Sequence, residues 1–146
     1  MDSIESAASN FKEGFNCAQS VFCAFAVNLG LDRETALKLA TPFGGGIAGT
    51  AQMCGAVSGA IMAIGLKLGT ASADKPARAK SYAAAKKFME LFKGRQGSLV
   101  CREILGCDIG TPEGMKTAQD KKLFDKTCAK AVKDAAAILN EVLEQP

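Results

Sequence analysis

The chain has 146 residues, of which 48% are hydrophobic and 23% charged, with six cysteines and no histidine. That length suffices for one domain with a real core, and a net charge of +3 is too small to argue for nucleic acid or an anionic membrane as partner. The missing histidine excludes Ser-His and Cys-His catalytic pairs, His-containing zinc sites and c-type haem attachment, so any metal must rest on thiolates, carboxylates or backbone.

No stretch alternates with period two, and alanine is abundant, so the expected fold is all-α. The N-terminal "MDSIESAASNFKEG" lacks a basic segment followed by an apolar one. It does not read as a secretory signal, and a cytoplasmic location is expected. A first helix is expected over Ser3 to Lys12, ending at Gly14. A second starts near Asn16, carries "CAQSVFCAFAVNL" and ends at Gly30. Asp32 suits the N-cap of a third, with Glu34 in its first turn. Pro42 and the glycines at 44, 45 and 46 stop it.

No residue between Lys38 and Lys67 is charged. That stretch is long enough to cross a bilayer, but "TPFGGGIAGT" would leave backbone groups unpaired in lipid. No membrane span is therefore expected. The helical part, from Met53 or Cys54 to Lys67, reads as a central helix wrapped by the others. Gly55 and Gly59 would let neighbours approach its backbone; they would also suit a homodimer contact. No strand precedes the glycines and no Lys-Ser/Thr follows, so neither phosphate-binding fingerprint is present.

Asp74 and Pro76 open a fifth helix, expected to end at Gly94. Ser98 starts a short one that stops at Gly106, and Thr111-Pro112 starts another. The last runs from Lys121 to Glu144. The lysines at 116, 121, 122, 126, 130 and 133 alternate with aspartates and apolar residues, as on a solvated helix face. Aromatics are few and Trp is absent, which argues against a base-stacking platform. The whole, residues 1–146, is expected to be a single-domain helical bundle around a central, apolar, glycine-flanked helix.

Six cysteines in a cytosolic chain suggest metal ligation or thiol redox chemistry more than structural disulfides. Free cysteine is also a common small core residue. Cys54 stands at the start of the central helix, where the dipole favours a thiolate. Cys17 shares a face with Val21, Ala24 and Phe25. Cys101 shares one with Ile104 and Leu105, and Cys128 continues the stripe Phe124, Val132, Ala135 and Leu139. All three faces point to a core. Cys23 is turned away from the Cys17 face, and Cys107 follows the helix stop at Gly106. The spacings between residues 17, 54, 101 and 128 are 37, 47 and 27. They match no zinc ribbon or ferredoxin, and there is no C-x-x-C.

The stretches "FNCAQSVF", "MCGAVSGAIMAIGLKLG", "GSLVCREILGCD" and "LFDKTCAKAVKDAAAILNEVL" together resemble the redox-active family named for a C…GCAxxG…C…C signature. The resemblance covers nearly the whole chain. The motif stands here as Cys54-Gly55-Ala56-Val57-Ser58-Gly59, with Cys before Gly, where the family name writes those two the other way round. The resemblance implies Cys17, Cys54, Cys101 and Cys128 as the family cysteines, with Cys23 and Cys107 outside the set. It implies redox activity and names no substrate. Similar domains in some bacterial cytochromes imply an iron–sulfur centre.

Three functions stay open at this point. Four thiolates would hold a [2Fe–2S] iron–sulfur cluster, or a single zinc or iron, for electron transfer to a redox partner protein. A thiol–disulfide oxidoreductase would use Cys54 as attacker and one of Cys17, Cys101 or Cys128 as resolving thiol, with no metal. A non-catalytic helical interaction module would carry inert core thiols.

Overall fold

A computed structural model describes residues 2–144. The described residues form eight α-helices, α1 Ser3–Lys12, α2 Cys17–Ala26, α3 Arg33–Ala40, α4 Gly55–Leu68, α5 Lys75–Gln96, α6 Cys101–Leu105, α7 Pro112–Asp120 and α8 Ala129–Glu144. Among the described residues there is no strand, only one antiparallel bridge between Met53 and Val100. The all-α expectation holds. None of these helices is long and apolar enough to cross a membrane.

The caps follow the expected chemistry. The Asp2, Asn16, Asp32, Asp74 and Thr111 side chains accept from the N–H groups that open α1, α2, α3, α5 and α7. Asn16 and Gln19 form a full capping box. Four boundaries differ from the sequence reading. α6 begins at Cys101, three residues after Ser98. α5 continues past Gly94 and stops at Gly97, whose φ of 82° ends the helix. α2 closes at Ala26, four residues before Gly30. The last helix is not continuous from Lys121. Lys122 has φ 55°, and Phe124–Cys128 form a π-helical turn before α8 begins. One extra residue per turn here sets the direction in which Cys128 projects.

α4 lies against α2, α5 and α8. Its first turns are buried, whereas Gly65, Leu66 and Lys67 are exposed, so it is central only at its N-terminal half. The α2–α4 contact is close because it is made by glycine. A Cβ on Gly59 would stand 2.6 Å from the Ala18 carbonyl oxygen, and one on Gly55 would stand 3.1 Å from the Ala18 nitrogen. Gly59→Ala is therefore expected to lower stability by about 1–3 kcal/mol through overpacking, read as a fall in the urea midpoint at unchanged m-value. Alanines from α2, α4 and α8 recur through the core, and the stacked rings of Phe88 and Phe92 from α5, 5.8 Å apart, are its largest fully buried side chains.

Candidate functional site

Four cysteines reach one place from four separate elements. Cys17 is the first residue of α2, directly after its Asn16 cap. Cys54 is the N-cap of α4, and its carbonyl accepts from the Val57 and Ser58 N–H groups. Cys101 opens α6, and Cys128 closes the π-turn at the head of α8. Three of the four thus sit where a chain reversal meets a helix start. Such positions are held by caps and backbone pairing as well as by apolar packing.

The backbone around them is tied together. The Cys54 N–H donates to the Leu99 oxygen at 2.9 Å, and the Cys101 N–H donates to the Gln52 oxygen. This short pairing fixes Cys54 beside Cys101. Asn16 reaches across to Thr41, donating to its carbonyl at 3.0 Å, and Gln19 donates to Leu37 and to the Thr41 hydroxyl. That network holds the Cys17 end of α2 to the segment entering the glycine loop.

The loop itself is unusual. Gly45, Gly46, Ile47, Ala48 and Gly49 all have positive φ, as does Ala51. Left-handed backbone costs a non-glycine residue about 1–2 kcal/mol, and strain of this kind collects at functional sites. Ile47, Ala48 and Ala51 bear that cost. They are held by bonds such as Ala48 N–H to the Pro42 oxygen at 2.7 Å and Ala51 N–H to the Gly45 oxygen at 2.9 Å. The loop presents Gly45 and Gly46 to the cysteines. A Cβ on Gly46 would lie 2.7 Å from the Cys101 Cβ, so only glycine lets the loop close so near that thiol.

Cys17, Cys54, Cys101 and Cys128 line one cavity of about 20 Å³, walled by Gly45, Gly46 and Gly55 and by Ile104, Leu105 and Ala131. Cys54 and Cys101 are buried, and Cys17 and Cys128 are partly so. The hydrogen bond with Cys128 raises the Cys17 thiol well above its ordinary value, and burial and the charges of the other three thiols add to this. The same bond lowers Cys128, against burial. Burial pushes Cys54 up to about 11, only partly offset by the N–H groups of Ala56 and Val57. Burial, followed by the charges of Cys54, Cys128, Cys107 and Asp108, pushes Cys101 up to about 12.

This reverses the expectation that Cys54 is mostly thiolate. The helix start stabilises an anion there, but loss of water inside the core costs more. Of the four, Cys128 is the thiol whose ionisation is favoured.

The shifts give a pH dependence. Cys54 and Cys101 hold their protons more tightly in the folded protein than at the ordinary thiol value of 9.0. Above that value the unfolded chain releases protons that the folded chain retains. The stability of the metal-free, reduced protein should therefore fall as pH rises from about 9, by up to about 1.4 kcal/mol per pH unit per thiol. Urea midpoints at pH 8 and pH 10 test this, and the fall should shrink in Cys54→Ala, which removes one of the raised thiols.

Cys23 lies apart. It is buried, and an Arg33 guanidinium nitrogen stands 3.6 Å from its sulfur. Burial raises its thiol in spite of Arg33. Cys107, whose direction the sequence leaves open, packs against a second small core of Ala51, Cys101, Leu105, Ile109 and Ala118, as does Cys128. The left-handed Gly106 turns the chain back toward that core, a signal legible only once α6 is seen to end there.

Among the described residues, no group of three or more Cys, Asp or Glu side chains stands already arranged to hold a metal ion. The donor set is nonetheless chemically suited to one. Soft thiolates select iron, zinc or an iron–sulfur cluster, and the glycine wall leaves a cradle that a Cβ would fill. The cavity as it stands admits about one atom-sized occupant.

The chain matches the family model described as "Putative redox-active protein (C_GCAxxG_C_C)" over residues 15–142. No curated protein and no solved structure matches it. With the signature cysteines gathered around one cavity and the match spanning most of the sequence, the chain belongs to the C_GCAxxG_C_C family.

Proposed function

We propose that this protein carries electrons through a thiolate-bound iron centre held by Cys17, Cys54, Cys101 and Cys128, exchanging them with a partner protein. The observation that carries the reading is the meeting of four thiols from four elements at one small, glycine-walled cavity. Inert core cysteines have no reason to line the same void. The cavity's size suits a single ion as it stands; a [2Fe–2S] cluster requires the thiols to rotate outward.

When bound, iron supplies a one-electron couple. The chain's part is to hold four sulfurs, exclude water and set the local field. Gly45, Gly46 and Gly55 bring backbone close to the sulfurs, and Ile104, Leu105 and Ala131 keep the site dry. All four thiols must lose protons on loading, and with Cys54 at about 11 and Cys101 at about 12 that loading strengthens as pH rises.

The test is metal and acid-labile sulfide analysis, with a visible spectrum, on anaerobically prepared protein. Stoichiometric iron with a thiolate-to-iron absorption supports the reading, with labile sulfide marking the cluster form. Colourless protein with stoichiometric zinc replaces it with a structural site.

A second reading rests on the meeting of Cys17 and Cys128 at one cavity, where the Cys128 thiol is the one lowered. In that reading Cys128, and not Cys54, attacks a disulfide substrate and Cys17 resolves the mixed disulfide. Metal-free protein that reversibly loses two free thiols, mapped to Cys17 and Cys128, supports this reading against the first.

A further inference from the structure

The longest helix, α5, is charged unlike any other in the molecule. Seven of its 22 residues are Lys or Arg, and Glu90 is its one carboxylate. Only Phe88 and Phe92 are buried, so most of the helix surface faces outward. On an α-helix Lys75, Tyr82, Lys86 and Lys93 fall on one stripe, and Lys80 and Lys87 form a second row about 120–140° further round. Tyr82 is 60% exposed.

A solvated helix face normally mixes signs and forms pairs four residues apart. α3, α7 and α8 do so, with Lys38–Glu34, Lys116–Asp120 and Lys130–Asp134. α5 does not. Among the described residues, its only cation with a carboxylate partner is Arg95, 3.8 Å from Asp134 at the C-terminal end. A row of unpaired cations around an exposed tyrosine has the make-up of an electrostatic docking face.

Its position gives that face a use. Arg95 and Gln96 both reach Asp134 of α8, the helix headed by Cys128. Beyond the Gly97 cap the chain enters Leu99, which accepts from the Cys54 N–H, and then Cys101. A protein seated on the C-terminal half of α5 therefore stands beside the segment that carries Cys101.

We propose that α5 is the docking face for an acidic redox protein that exchanges electrons with the cysteine site. The identity of the exchange rests on the redox reading above; the binding does not. Docking makes and breaks no covalent bond. Its attraction comes from Lys86, Lys87 and Lys93 facing carboxylates, so it weakens with salt.

The test uses the full chain and a small acidic ferredoxin as probe, with binding measured at low ionic strength separately from electron exchange. The expected result is binding that weakens as salt is added. It should fall about tenfold or more in Lys86→Glu/Lys87→Glu/Lys93→Glu and stay unchanged in Lys12→Glu/Lys38→Glu, whose lysines lie on α1 and α3. Equal binding by the triple variant and the parent overturns the proposal. So does tighter binding to duplex DNA or to phosphatidylglycerol vesicles than to the ferredoxin. A chain that binds the ferredoxin through α5 yet exchanges no electrons keeps the docking face and rejects the redox reading.

Discussion

Cys101→Ser is expected to abolish metal loading: iron bound per chain after anaerobic reconstitution should fall by at least about tenfold, and the visible absorption should go with it. Loss of one supporting group around a metal ligand already costs about 10–100-fold in affinity, and this change removes a ligand. A hydroxyl is a hard, weakly acidic replacement for a thiolate, so it cannot serve a soft metal equally well. Cys101 is the sharpest choice because Gly46 closes directly on it and its N–H is tied to Gln52. Cys54→Ser should behave alike. Cys23→Ser should leave metal content unchanged, because that thiol lies against Arg33, outside the cavity. If Cys101→Ser and Cys54→Ser both load iron as the parent does, the four-thiol site is wrong.

Gly46→Ala is expected to be the most damaging change in the glycine loop. Two costs combine. The residue has φ 71°, and an alanine there carries the left-handed penalty of about 1–2 kcal/mol. Its Cβ would also lie 2.5 Å from the Gln52 nitrogen and 2.7 Å from the Cys101 Cβ, and forced displacement of packed groups costs about 1–3 kcal/mol more. Gly49→Ala separates the two. Gly49 has φ 74°, but nothing lies within 4 Å of its built Cβ. It should show the conformational penalty alone, with iron content kept. Denaturant midpoints for the two variants, read beside their metal content, check the difference. Equal losses of stability, with metal content kept in both, would mean that the loop does not press on Cys101.

These expectations separate two kinds of information. Helix content, caps and the apolar central helix were legible along the chain because they depend on neighbours three or four residues away. Asn16 with Gln19, Asp32 with Thr35 and Asp74 before Pro76 all act locally, and each formed the cap its residue type favours. The inward faces of Cys17 and Cys101 are legible in the same way, through helical periodicity, whereas that of Cys128 depends on the π-turn.

The errors arose where the outcome depended on groups remote in sequence. Gly94 has the residue type of a helix stop, but it lies within α5 with nothing within 4 Å of its built Cβ, so the helix runs on to the left-handed Gly97. The π-turn before Cys128 and the left-handed run from Gly45 to Gly49 have no periodic signature. Both are imposed by the packing they serve.

The ionisation of the thiols is the clearest case. At the head of a helix Cys54 should favour a thiolate, and this is a correct statement about local fields. Its pKa was decided by how much water the rest of the protein takes away, a property of the assembled core. Residue type and short-range periodicity thus determined which helices form and which cysteines face inward. Only the packing of helices from opposite ends of the chain decided that four cysteines share one cavity, because solvation and proximity between distant residues exist only once the chain has closed on itself.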